Sequence, residues 1–187
     1  MLSNLGFLLA AAYGAWRLRH SALAGAERSA LGVFVAALGL TALGSAWYHL
    51  APDDARLVWD RLPIALACGA LLAAVLRSRL ALLLLAACAV ASVLWWRASG
   101  DLRPYLLLQA APLILVPLLQ WQHDAPAAQR RACGLAVALY VLAKLCEVAD
   151  QAWLDVLGAL SGHTLKHLLA AVAAVVLVRA DAGFRKS

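Results

Sequence analysis

Seven apolar stretches separated by short polar breaks constrain this chain more than any other feature. They run over residues 2–17, 29–50, 58–76, 80–97, 103–121, 131–149 and 154–178. A helix needs roughly 20 apolar residues to cross a bilayer, and only structures that satisfy their own backbone hydrogen bonds can do so. The composition agrees. Of 187 residues, 65% are hydrophobic and 14% charged, whereas a soluble domain is about 45–50% apolar and about 25% charged. A water-soluble globule is excluded, and so is a disordered chain, which needs low hydrophobicity. The expected fold class is all-α, a polytopic membrane protein formed as a seven-transmembrane helix bundle, with one domain over residues 1–187. Breaks such as APDDAR, RSR and RASGD are short enough to make successive segments antiparallel neighbours. The first segment lacks a basic n-region and is expected to span rather than to be cleaved. Pro104, Pro112 and Pro117 mark the fifth segment as the one expected to kink. Cys68, Cys88, Cys133 and Cys146 form no CxxC pair and fall in apolar stretches, so buried free thiols are expected.

The basic excess, 16 Lys+Arg against 10 Asp+Glu, does not point to nucleic acid, because so apolar a chain leaves little surface for a basic patch. It sets orientation instead. Arg17, Arg19, Arg28, Arg77, Arg79, Arg130, Arg131, Arg179, Arg185 and Lys186 fall on one side of the expected membrane. Arg56, Arg61, Arg97 and Arg103 fall on the other, beside Asp53, Asp54, Asp101 and Asp155. By the positive-inside rule the C-terminus is expected in the cytoplasm and the N-terminus outside. Arginine far outnumbers lysine, and alanine and leucine dominate, as in a GC-rich bacterial genome, so the expected location is a bacterial inner membrane.

Ionisable groups within spanning helices face the bundle interior or an aqueous cavity, because lipid penalises them. Here they are His49 in the second segment, Asp60 opening the third, Lys144 and Glu147 in the sixth, and His163, Lys166 and His167 in the seventh, with Ser45 one turn before His49. At about 1.5 Å per residue from the basic end of each helix, Ser45 and His49 lie about 24 and 30 Å deep and Asp60 about 25 Å. On the same rise Lys144 and Glu147 lie at about 21 and 25 Å, and His163 and His167 at about 24 and 18 Å. Four helices thus contribute to one layer in the outer half of the membrane.

Spacing adds chemistry to this layer. HTLKH puts His163 and His167 at i and i+4, on one helix face, and SAWYH does the same for Ser45 and His49. Three imidazoles from two helices suit a tetrahedral Zn²⁺ with one open position, the arrangement of catalytic sites. Zinc held in this way lowers the pKa of its water to about 7. Asp60 can take and pass on a proton, and the Ser45 hydroxyl can donate to an oxyanion. Plainer readings stand beside these. Asp60 can be a helix N-cap followed by Pro63 in the first turn, and Ser45 a small-residue packing contact. Lys144, Glu147 and Lys166 can be a structural ion-pair cluster. His20 and His123 fall in loops.

Ser45-x-x-x-His49, Asp60 eleven positions later and His163-x-x-x-His167 in the last segment resemble the pattern of the alkaline ceramidase family. That family belongs to a wider group of seven-helix membrane hydrolases that includes adiponectin-receptor-like and GPI-remodelling proteins. SGHTLKHLLAA (161–171), GSAWYHLAPDDARLVWDRLP (44–63) and LSNLGFLLAA at the start are most similar to its bacterial members. The resemblance implies a zinc-dependent lipid amide hydrolase acting on ceramide or a related acyl lipid. It makes His49, His163 and His167 the metal ligands and puts Ser45 and Asp60 beside the metal-bound water. The acidic, tryptophan-containing calcium-binding stretch of the eukaryotic ceramidases is not in this sequence, and calcium dependence is not expected. Two alternatives remain open: a phospholipase-type ester hydrolase, and a non-enzymatic metal- or proton-coupled membrane protein.

Overall fold

Long runs rich in alanine and leucine, with polar residues only at their ends or at helical spacing, can satisfy their backbones in lipid only as helices. The computed structural model describes residues 2–157 and 161–181, and every regular element among them is helical. A 3₁₀ turn at Leu2–Asn4 leads into α1 (Leu5–Arg19). There follow α2 (Gly25–Leu50), α3 (Asp54–Leu76), α4 (Arg79–Ser99), α5 (Arg103–Gln122), α6 (Ala127–Val148), α7 (Asp150–Leu157) and α8 (Gly162–Asp181).

Five of these, α2 to α5 and α8, are long and apolar enough to cross a membrane, consistent with an integral membrane protein. The other two expected spans fall short for separate reasons. α1 has 15 residues, about 22 Å of helix. α6 is long enough at 22 residues but carries Arg130, Arg131, Lys144 and Glu147.

Two expectations need correction. The seventh segment, expected as one run over 154–178, is divided into α7 and α8. A new helix start is capped here: the Asp150 carboxylate accepts the His163 backbone N–H at 2.6 Å, and the Ser161 hydroxyl accepts that of Thr164 at 3.2 Å. The third segment was expected to begin at 58 with Asp60 at its opening. Instead Asp53 is the cap, accepting the Arg56 N–H at 2.7 Å, so Asp60 sits in the second turn and the N-cap reading of it falls away. α5 continues as helix through Pro112 and Pro117.

Connections are tight. Arg77 and Gly100 close α3 and α4 in the left-handed region, with φ of 50° and 75°, and Ser78 caps α4. In the α4–α5 turn the Asp101 carboxylate accepts two bonds from the Arg103 guanidinium, both at 2.9 Å. Those bonds, with a further one from the Arg103 backbone N–H, hold the Asp101 carboxyl well below the usual carboxylate range.

Helix packing forms a ring: α1 on α2, α2 on α3, α3 on α5, α5 on α6, α6 on α8, and α8 back on α1. α4 lies outside the ring, mainly against α3 and α5. The α5–α6 seam is the least extensive in the ring, and the α2–α3 seam the most. Small residues let the helices approach: the core joining α1, α2, α3 and α8 includes Ala10, Ala30, Ala37, Ala70, Ala73 and Ala171, the pattern of helices packed by van der Waals contact in membranes.

The interior is mostly apolar, but large apolar residues also cover the outside and several polar ones are buried. Leu83 and Leu107 are 68% and 73% exposed, while Thr41, Ser45, Gln109, Gln120 and His167 are buried. Trp47, Trp59 and Trp95 face outward near the end that carries the histidines, and Trp16 and Trp121 near the other. All four cysteines are free, but only Cys133 and Cys146 are buried as expected; Cys68 is half-buried and Cys88 is exposed on the outer helix α4.

At the basic end the helices are tied together. The Arg17 guanidinium donates to the Arg179 carbonyl at 3.2 Å, Arg28 donates to the Leu18 carbonyl at 2.7 Å, and Arg77 lies 3.6 Å from Glu27. Arg185 and Lys186 lie outside the described residues.

Candidate metal centre

His49 occupies the last turn of α2. His163 and His167 occupy the first turns of α8. α2 and α8 both pack on α1 and on the turn at Leu2–Asn4, and these ends meet there. The Nε2 atoms of His163 and His49 are 3.0 Å apart, and ring centroids are 4.5 Å apart for His163–His167 and 6.1 Å for His49–His167. One ring nitrogen from each of the three lies within 4.8 Å of the others, close enough to hold a metal ion. Tetrahedral Zn–N bonds of about 2.0–2.1 Å require N···N separations of about 3.4 Å, which this cluster reaches with small ring movements.

Several neighbours set the rings. The Ser3 hydroxyl is 3.4 Å from His167 Nδ1, and Phe7 meets the His167 ring edge-on with centroids 5.7 Å apart. The Asp150 bond to the His163 backbone fixes where α8 begins. Two glycines bring the backbones together at this level. A Cβ on Gly44 would fall on the Trp59 carbonyl oxygen, and one on Gly162 would fall on the Cys146 carbonyl oxygen. Glycine is required at each, next to Ser45 in one case and His163 in the other, because the obstacle is backbone and cannot swing aside.

The cluster heads a cavity of about 560 Å³, within the usual range for a small-ligand site of about 300–1,000 Å³. Every helix of the ring lines it, and α4 contributes nothing. Ser45, Asp60, Lys144, Glu147, His163, Lys166 and His167 are all in its wall, so the structure brings the residues expected in one layer to one space. His49 is the exception: it is not in the wall and stands against His163. Asp60 makes no ion pair among the described residues and is not part of the histidine cluster. Ser45 is 1% exposed, and its hydroxyl has no hydrogen-bond partner among the described residues. Thr41, one turn earlier, behaves as helical hydroxyls often do and donates to the Ala37 carbonyl at 2.8 Å.

Lys144 and Lys166 do form the expected ion-pair cluster. Both donate to Glu147, at 3.0 and 2.8 Å, which joins α6 to α8. Away from this polar head the walls are mainly apolar, with Gln109 and Gln120 of α5 as polar exceptions: Leu71, Val75, Val116, Val137 and Leu177 continue the cavity toward the basic end. From His163 to Leu177 along α8 is about 21 Å.

Several residues around the cluster were not foreseen. Arg61 was placed among the arginines of the outer loops, yet it lines the cavity with its guanidinium 3.8 Å from the Trp96 ring centroid. Its position seven residues into α3 was the available signal. Ser3 and Gly162 gave none. No protein-family model matches the chain, and neither does any curated protein or solved structure.

Proposed function

We propose that this protein is a seven-span, zinc-dependent membrane hydrolase that cleaves the N-acyl bond of ceramide or a related acyl lipid. One observation carries the reading: three histidines close enough to bind a metal stand at the polar head of a long apolar cavity inside a bundle of membrane-length helices. Zinc held by three imidazoles with an open position supplies a Lewis acid and, near neutral pH, a nucleophilic water. The donor set fits that ion: three imidazole nitrogens and, among the described residues, no competing carboxylate within the cluster and a hydroxyl at Ser45 without a hydrogen-bond partner.

The chain's own groups have the remaining roles. The cavity binds the acyl chain along α8, with the scissile carbonyl at the histidine end. Ser45, with no partner among the described residues, donates to the carbonyl oxygen as negative charge develops there. Asp60, free of ion pairs among the described residues, accepts a proton from the attacking water and returns it to the leaving amine. The loose α5–α6 seam gives lipid a lateral way in. α1 and α6 complete the seven spans, with Lys144 and Glu147 of α6 turned to the cavity rather than to lipid. The basic end faces the cytoplasm, which puts the site in the outer half of a bacterial inner membrane.

Mass spectrometry of the products from a mixed lipid panel, with wild type set against His49→Ala, tests this. A free fatty acid and an amine released from an amide lipid by wild type alone support the reading. Ester cleavage alone makes the protein a phospholipase-type enzyme, and no product from any lipid rejects a hydrolase.

A further inference from the structure

The polar head of the cavity carries more positive charge than its own carboxylates neutralise. The formally charged side chains in the wall are Arg61, Lys144 and Lys166 against Asp60 and Glu147. If the Lys–Glu–Lys cluster served only to clamp α6 to α8, one lysine would neutralise Glu147. The second leaves the cluster with a net positive charge, on lysine side chains that are 43% and 20% exposed and so within reach of an anion entering the cavity.

The hydrogen bonds give the same answer. Each Glu147 oxygen accepts one bond, Oε1 from Lys166 at 2.8 Å and Oε2 from Lys144 at 3.0 Å. An ammonium has three donors, so among the described residues each lysine keeps two N–H groups unused. Arg61 has no carboxylate partner among those residues. Its Nη1 is buried without a hydrogen-bond partner, while its plane is held over Trp96 at 3.8 Å and Tyr105 at 5.7 Å. A guanidinium fixed against two rings with a buried donor unspent is pre-oriented for a planar or tetrahedral anion.

We propose that this end of the cavity is an anion-binding subsite, in which Lys144, Lys166 and Arg61 receive a carboxylate or phosphate on the head group of the lipid. The preferred substrate is then an anionic acyl lipid rather than a neutral one. The proposal rests on the hydrolase reading for its catalytic consequence, but the binding of an anion does not.

The test uses the full chain in lipid nanodiscs and two matched pairs of probes. N-palmitoylglycine and N-palmitoylethanolamine share chain and amide and differ in a carboxylate; ceramide 1-phosphate and ceramide differ in a phosphate. At least a tenfold higher kcat/KM for the anionic member is expected in one pair, and which pair shows it identifies the source of the charge. Lys166→Met is expected to reduce the preference about tenfold through KM, as loss of a charge-assisted hydrogen bond does, and Lys166→Arg to retain it. Glu147→Gln keeps the side-chain volume and adds positive charge, so it is expected to raise the preference, a direction that a purely structural clamp does not give. This variant also decides the matter if Lys166→Met fails to fold. Equal or faster cleavage of the neutral member in both pairs overturns the proposal, as does a Glu147→Gln preference that stays level or falls. If no probe is cleaved, the amide-hydrolase reading fails by itself. Tryptophan fluorescence titration of wild type with the same four lipids then decides the subsite: tighter binding of an anionic member supports it, and equal binding overturns it.

Discussion

Replacing Gly44 with alanine is expected to damage this protein far more than a single added methyl suggests. The new Cβ would fall on the Trp59 carbonyl oxygen, 2.7 Å from its carbon and 3.3 Å from the Asp60 nitrogen. All three atoms belong to helical backbone, so no rotamer relieves the overlap. Restoring ordinary carbon–carbon contact of about 3.5–4.0 Å requires α2 and α3 to part by about 1 Å. The α2–α3 seam is the most extensive in the ring, and overpacking in a close-packed interior costs about 1–3 kcal/mol. A loss near the upper end is expected. The same movement shifts Ser45 and His49 on α2 relative to Asp60 on α3, and a displacement of about 1 Å at a reacting centre costs about 100-fold in rate. Gly32→Ala is the control, since a Cβ there meets nothing within 4 Å; it is expected to stabilise slightly, by up to about 1 kcal/mol, through helix propensity. Unfolding in detergent, zinc content and lipid hydrolysis are measured for both. If Gly44→Ala behaves like Gly32→Ala in all three, the close approach of the two backbones does not position the site and the reasoning is refuted.

Two further outcomes follow from the cavity. Asp60→Asn is expected to lower the hydrolysis rate by about 10²–10⁴-fold with bound zinc unchanged, because Asp60 is not among the clustered nitrogen donors; loss of zinc in this variant would make it a ligand instead. Ala174→Phe, in the apolar length of the cavity about 16 Å along α8 from His163, is expected to shift preference toward shorter acyl chains. An unchanged chain-length profile, measured over saturated acyl lipids of graded length, would show that the chain does not lie along α8.

Much of this arrangement was legible in the sequence. Helix spacing alone put Ser45 with His49 and His163 with His167, and rise per residue put them at one depth with Asp60 and Glu147. Both follow from local geometry, which a sequence carries. The break between α7 and α8 was not legible, because residues 154–161 are apolar enough to merge with the last span, and the cap that divides them comes from Asp150, thirteen residues before His163. The role of α4 was hidden as well: its apolar pattern resembles that of its neighbours, and only packing leaves it outside the ring. Arg61 was misplaced because Asp53 rather than Asp60 caps α3, which carries its second turn into the bundle. The two site glycines show their purpose only once the facing carbonyls of Trp59 and Cys146 are in place.

Elemental analysis of the purified protein tests the central claim most directly, because every proposed step depends on the histidine cluster of α2 and α8. One zinc per chain is expected in wild type, with its loss in His49→Ala, His163→Ala and His167→Ala and its retention in a His20→Ala control at the opposite end of the bundle. A wild-type protein that elutes without stoichiometric metal after growth and purification in zinc, or cluster variants that keep it, would contradict the account.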